Sequence, residues 1–455
     1  MLDRWQGSAG WGLILSAPHG STATIVKRMA IDHTTEVPHS SAGRNARTVV
    51  VCPDSFKGSL NSDDVAHAIA AGWRQVCPED TLILSPMADG GEGTRRAFNT
   101  ARPEAKVVEL AELCGIELYE ELDPWHAGTA PFGDALREAI LATHQEFQAS
   151  VAGRKRDQHE QDATENAQQK LGPSEGSRPI VYVGIGSSAS TDCGAGMLQA
   201  LGVSIKDAKG QPIAAGLEGV ASAASIDLSP AADVLGALRD VDIHVITDVT
   251  APLLGPRGAV QAFGSQKGLK PVDFDHAEAA IERFADLLLE AFTKHPPACP
   301  NVHRHARPDA GAKACDVDLS ITTPGVGAAG GVGFALKALG AGLLPGAGHV
   351  AEAIGLEEQI ARADLVTTGE GAFDATSLQG KVPAAVKQIA DGHGVPCALV
   401  AGAIRDDDAA GVFRAVMNLS ELAGSAQESM ADTARWCEEA GSRWHDAARS
   451  QFMSS

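Results

Sequence analysis

Aromatic residues are scarce in this chain, at 4% of 455 positions, and its eight cysteines include no CxxC pair. A chain of this length can build its core from aliphatic side chains and needs no disulfide staples, so a reducing compartment, the cytoplasm, is expected. No apolar run reaches the length of a membrane span. Residues 11–17 are apolar but few, and they lie behind Asp3, which makes a poor signal peptide. Arg, Lys and Ser within residues 1–47 leave a mitochondrial presequence open, and Asp32 and Glu36 count against it. Basic residues are also in the minority, 37 against 58 acidic, for a net charge of −21. Phosphate backbones and anionic membranes would be repelled, so neither nucleic acid nor membrane is an expected partner. A small anion, sensing only the local field of a cleft, remains compatible. The chain lacks GxxxxGK[ST] and the HRD and DFG elements, so it is neither a P-loop enzyme nor a protein kinase.

What is present is a soluble globular composition, 44% hydrophobic and 21% charged, with 49 glycines that suit many tight turns. Residues 49–94 are the most informative stretch. A β-branched run at 49–51 stops at Pro53, and a polar loop with Asp54, Ser55, Lys57 and Gly58 follows. Ser59 or Asn61 can then cap a helix whose apolar face runs through Val65, Ile69 and Trp73. A second strand at 81–84 leads to a loop with Asp89, Gly90, Gly91, Glu92 and Gly93. Two polar loops at the ends of neighbouring strands are where α/β proteins bind ligands. Lys57 suits an anion there, and Asp89 and Glu92 suit a hydroxyl or a metal.

Further strands are expected at 180–183, 243–247, 319–322, 365–368 and 398–401, with helical patterns between them, including 275–292 and 331–339. This alternation predicts a parallel sheet with helices on both faces. Residues 1–46 show no periodicity and are expected to be a disordered extension. Residues 145–178 are nearly devoid of large apolar side chains and read as a solvated insertion. Cys299, His303 and His305 lie close together, but without a nearby fourth ligand they read as a surface loop before a zinc site.

Four more strand-end loops carry candidate chemistry. In residues 184–196, GIGSSASTDCGAG, small residues including Gly184, Gly186 and Ser188 allow close approach of a phosphate. Asp192 there is either a proton acceptor or a helix N-cap. In residues 247–268 Asp248 follows a strand directly, and Arg257 and Lys267 offer positive charge. Residues 322–340 contain GxGxxG at Gly325, Gly327 and Gly330, which alone is weak evidence for a dinucleotide. Residues 184–189 also fit GxGxxA, with Asp207 ending a possible next strand, which keeps an NAD-dependent oxidoreductase open. Residues 367–383 bring Glu370, Asp374 and Lys381 into one loop, more charge than packing requires.

The elements PDSFKGS, PMADGGEGT, GAGMLQALG, DVT-PLLGP-G, FG-QKG, PG-GAAGG, TGEG–D and GK-P, in this order, resemble the type I glycerate kinases over residues 48–444. Ser187 and Cys193 stand where that pattern has glycine, Thr191 and Ala251 where it has asparagine, Ala372 for arginine and Thr376 for glutamine. The resemblance implies two α/β domains with a cleft between them. One is a parallel-sheet, Rossmann-like domain built from both chain ends, 47–95 and 320–455, and the other is inserted at 96–319. It also implies ATP-dependent phosphorylation of D-glycerate to 2-phosphoglycerate with Mg²⁺.

On that reading Asp192 deprotonates the glycerate hydroxyl, and Lys57, beside Asp54 and with Ser55 and Ser59, holds the carboxylate or the transferring phosphoryl. Asp248, Asp89 or Glu370 holds Mg²⁺. The loops of Gly184, Gly186 and Ser188 and of Gly325, Gly327 and Gly330 wrap phosphates with Glu370, Asp374 and Lys381. The alternatives are a nucleotide-binding but impaired relative, a kinase of another small hydroxy acid, and the oxidoreductase. The expected partner is the small substrate itself, and a homodimer is left open.

Overall fold

The computed structural model describes residues 46–161, 178–294 and 320–452. Residues 1–45 of the extension expected at 1–46, the Cys299, His303 and His305 group and the tract 162–177 lie outside the described residues. Eleven strands are formed among the described residues: β1 (Thr48–Pro53), β2 (Thr81–Leu84), β3 (Lys106–Glu109), β4 (Ile180–Gly184), β5 (Ser204–Asp207), β6 (Ala223–Asp227), β7 (Asp242–Thr247), β8 (Gly342–Pro345), β9 (Leu365–Phe373), β10 (Cys397–Ile404) and β11 (Ala415–Asn418). They make two parallel sheets, in the orders β11-β10-β9-β1-β2 and β3-β4-β7-β8, with β5 and β6 as an antiparallel pair apart from both.

The helices that position the loops are α1 (Ser62–Val76), α2 (Thr94–Ala101), α3 (Ala130–Gln161), α4 (Ala195–Ala200), α5 (Phe274–Lys294), α6 (Ala328–Ala338), α7 (Gly346–Ala353), α8 (Val382–Gly392) and α9 (Thr433–Phe452). Successive residues of β1 face opposite sides. Val49 and Val51 pack with Val65, Ile69 and Trp73 of α1 and with Cys437 and Trp444 of α9. Val50 and Cys52 pack on the other side with Val382 and Val386 of α8. Both faces are covered, so the strand is apolar without alternation. Asn61, not Ser59, caps α1, its side chain accepting from Asp64 N at 3.0 Å.

The second sheet is likewise two-faced. Val181 and Val183 of β4 belong to a core with α3, α4 and α5. Tyr182 and Ile246 point the other way, into the cluster that also holds Val50, Cys52 and Val366 of the first sheet, with Phe98 of α2 and Val350 of α7. Helices α2 and α7 thus share one apolar cluster with both sheets. This sets the loops at 89–93, 184–188 and 247–249 against one another.

Three sequence expectations change. Residues 320–323 form turns instead of a strand, with Ser320 N donating to Thr323 Oγ1 at 3.2 Å and Thr323 N to Ser320 O at 3.0 Å. The fourth strand of the second sheet is β8, GLLP, whose Gly and Pro hide it from a sequence reading. Residues 145–161 continue α3 instead of looping out, and Gln148 there donates to Asp240 Oδ2 at 2.6 Å.

Candidate active site

The carboxyl ends of β1, β2, β7 and β9 bring Asp54, Lys57, Asp89, Asp248 and Glu370 into one electrostatic group. Lys57 stands at an exposed loop tip, and Asp89, with Asp54, Asp248 and Glu370, raises its pKa against the opposing effect of burial. It forms no ion pair with any of them among the described residues, so its ammonium is not committed to a protein partner. Asp54 is 6% exposed, and burial together with Asp89 holds its pKa well above the carboxylate range. Burial also raises Asp248, with Asp89 adding to it, and Glu370, which a Ser377 hydrogen bond and then Lys381 and Lys57 pull the other way. Each of these carboxyls is therefore stabilised in its charged form by additional positive charge.

Two polar atoms here are orphaned. Glu370 Oε1 and Ser55 Oγ are buried without a hydrogen-bond partner, a state that costs on the order of 1–3 kcal/mol when no ligand or water meets it. The donors available to a cation are carboxylate and hydroxyl oxygens, the chemistry of a hard ion. No group of three His, Cys, Asp or Glu among the described residues closes into a metal cage. Mg²⁺ is commonly held by one or two carboxylates and by substrate phosphates, which this open arrangement of Asp89, Asp248 and Glu370 fits.

Other predicted residues are placed differently. Asp192 is 0% exposed, and its carboxylate accepts from Thr129 N at 3.0 Å, Thr129 Oγ1 at 2.7 Å, Gly196 N at 3.1 Å and Gly194 N at 3.1 Å. Those donors reach both oxygens, so Asp192 anchors the turn into α4 from an enclosed position. Lys267 lies beside it, 6% exposed, its Nζ donating to Ser188 Oγ and Ser190 O at 2.6 Å each. Burial lowers its pKa to about 7. Ser188 is thus a partner of Lys267. Asp374 caps a short turn, accepting from Thr376 N at 2.8 Å and Thr376 Oγ1 at 2.6 Å, while Lys381 Nζ donates to that same hydroxyl at 3.3 Å. The Ser59 hydroxyl is spent on Phe56 O at 2.8 Å.

The glycines serve close backbone contact more than phosphate. Gly325 N and Gly327 N donate to Ala251 O at 3.2 and 3.0 Å, and Gly330 O accepts from Cys193 N at 3.0 Å. Those two N–H groups are not available to wrap a phosphate. Asp207 accepts from Lys209 N and Gln211 N at 2.8 Å each, in a turn of the separate antiparallel pair. The acidic residue of a nicotinamide site is therefore not beside the Gly184 turn. Gly186 N donates to Gly90 O at 2.8 Å, and a Cβ on Gly186 would sit 2.5 Å from Gly91 Cα. Gly186→Ala must push the two loops apart, so kcat/KM is expected to fall about 100-fold. Steady-state rates alongside a circular dichroism melt would check this; a folded variant with unchanged kcat/KM would show that the loop contact is irrelevant to turnover.

Glu109 escaped the sequence reading because it closes the ordinary strand KVVE. It is buried, accepts from Gly93 N and Arg95 N at 2.8 Å each, and so clamps the start of α2 under the 89–93 loop. Burial pushes its pKa up to about 7.

The sequence matches the model of the glycerate kinase family over residues 49–106 and 174–448. It is 34% identical to the glycerate 2-kinase of Escherichia coli K12 over 360 residues, 79% of this chain and 86% of that protein. It is 33% identical to a glycerate kinase of Halalkalibacterium halodurans over 361 residues, 78% of this chain and 86% of the relative. The solved structure of a proposed glycerate kinase 2 from Salmonella typhimurium LT2 superposes with a TM-score of 0.62 at 29% identity, covering 89% of this chain and all of that one. With a family match across most of the sequence and a relative 34% identical over 79% of it, this chain belongs to the glycerate kinase family.

Proposed function

We propose that this chain transfers the γ-phosphoryl group of ATP to the 2-hydroxyl of D-glycerate, between two lobes built on the two parallel sheets. The reading is carried by Lys57, an uncommitted ammonium set among Asp54, Asp89, Asp248 and Glu370 from four strand ends. Phosphoryl transfer asks a protein mainly for alignment and neutralisation of charge. Lys57 binds the transferring group or the glycerate carboxylate, and Lys381 adds positive charge at the Glu370 end. Ser55 offers its hydroxyl as a further donor. Asp89 or Asp248 would hold Mg²⁺ together with the triphosphate, and the ion would supply the remaining neutralisation of phosphate charge. Since Asp192 is enclosed, the hydroxyl proton passes instead to Glu370, whose Oε1 has no protein partner and whose pKa burial has raised.

Purified protein incubated with ATP, Mg²⁺ and D-glycerate is expected to yield 2-phosphoglycerate by ³¹P NMR, and EDTA should reduce the rate to background. Tight ATP binding without glycerate-dependent ADP release would favour the impaired relative. Release of ADP with another hydroxy acid in preference to glycerate would shift the substrate and keep the chemistry.

A further inference from the structure

Ser187 has a backbone φ of +55°, in the left-handed region where an L side chain is strained. Neighbouring backbone holds it there. Ser187 O accepts from Ile116 N at 2.9 Å, Ser188 bridges to Gly115, and Ala189 N donates to Cys114 O at 3.0 Å. Glycine would take the same φ without strain, so all that serine adds at this position is one hydroxyl. That hydroxyl has a definite outlook. A Cβ built on Gly91 would lie 3.7 Å from Ser187 Oγ and 3.1 Å from Asp89 Oδ1, so hydroxyl and carboxylate border the same space above Gly91. Ser187 is half-buried and its side chain makes no hydrogen bond to another described residue. A half-buried donor at the junction of two strand-end loops, beside a carboxylate that also acts on Lys57, is placed to meet a ligand.

We propose that Ser187 Oγ donates a hydrogen bond to an anionic oxygen of the bound substrates, the glycerate carboxylate or the transferring phosphoryl, and that the strained backbone is retained for that contact. The proposal rests on the kinase reading above. Its test compares wild type, Ser187→Gly and Ser187→Ala by steady-state kinetics, with glycerate and ATP varied separately, and by thermal unfolding. Ser187→Gly relieves the strain and is expected to raise Tm by about 2 °C. The same variant should lower kcat/KM at least about 10-fold, the size of a lost hydrogen bond to a charged group. Ser187→Ala keeps the strain and loses the hydroxyl, so it should show the kinetic loss without the rise in Tm.

A loss confined to the KM of glycerate identifies the carboxylate as the acceptor; a loss in kcat or in the KM of ATP identifies the phosphoryl. Wild-type kcat/KM for both substrates in Ser187→Gly would overturn the proposal, as would kinetic losses in both variants that follow only from a lowered Tm. A wild-type protein that phosphorylates no glycerate would overturn the kinase reading itself, and the wild-type arm separates that outcome from kinetic neutrality of the variants.

Discussion

Lys57→Met is expected to cut glycerate-dependent ADP release about 10³-fold, the scale of removing a preorganised charge from a transition state that carries phosphate. The side chain is exposed and makes no ion pair among the described residues, so its loss removes little packing. Its surroundings make the rate effect large. Asp54, Asp89, Asp248 and Glu370 all act on this ammonium, and without it they would confront the incoming phosphate with only Lys381 to offset their negative charge. Arginine should not restore the rate, because a planar fork cannot take the place of a compact ammonium on the short loop between Phe56 and Gly58. A Lys57→Met protein with wild-type melting and a rate within threefold of wild type, about 0.7 kcal/mol, would remove the central element of the proposed site.

The second large effect is on stability and comes from Lys267. Its pKa is lowered from 10.5 to about 7 by burial, while the unfolded chain restores the ordinary value. Between these values the unfolded state binds a proton that the native state lacks, so this group makes stability rise with pH. Its stabilising contribution is complete above the unfolded pKa and is lost as pH falls through the folded one. From about pH 7 to about pH 9.5 the rise is on the order of 3 kcal/mol. Lys267→Met should abolish that part of the rise, because methionine has no proton to gain. Urea unfolding of both proteins at the two pH values reads the difference; an identical pH dependence in wild type and variant would mean that Lys267 is charged and solvated in the native state.

The local elements were legible in the sequence for simple reasons. The run TVVVCP has no alternation because both its faces are covered, and Asn61 stands where a helix needs an acceptor for Asp64 N. The grouping of charge near strand ends was legible too, since ligands of α/β proteins sit beside the carboxyl ends of the strands. Asp192 was not decided by its surroundings in sequence. A proton acceptor and a loop anchor look alike in STDCG, and the anchoring contact comes from Thr129, 63 residues earlier, whose N–H and hydroxyl both reach the carboxylate. Gly325 and Gly327 were similar: their spacing suits a phosphate turn, yet their N–H groups meet Ala251 O from a loop more than 70 positions away. β8 was hidden because four residues ending in proline give no period to read.

The amino-acid sequence by itself determined most of the element types, the family pattern and the set of charged side chains at the loops, because hydrophobic period, caps and turn residues act over a few positions. Only the tertiary structure decided which of those side chains stand together. Two sheets sharing the cluster around Tyr182 and Ile246 turned Lys57, Asp89 and Glu370 toward common space and enclosed Asp192 and Lys267. Burial and the direction of a side chain depend on residues far away in the chain, and no local spacing encodes them.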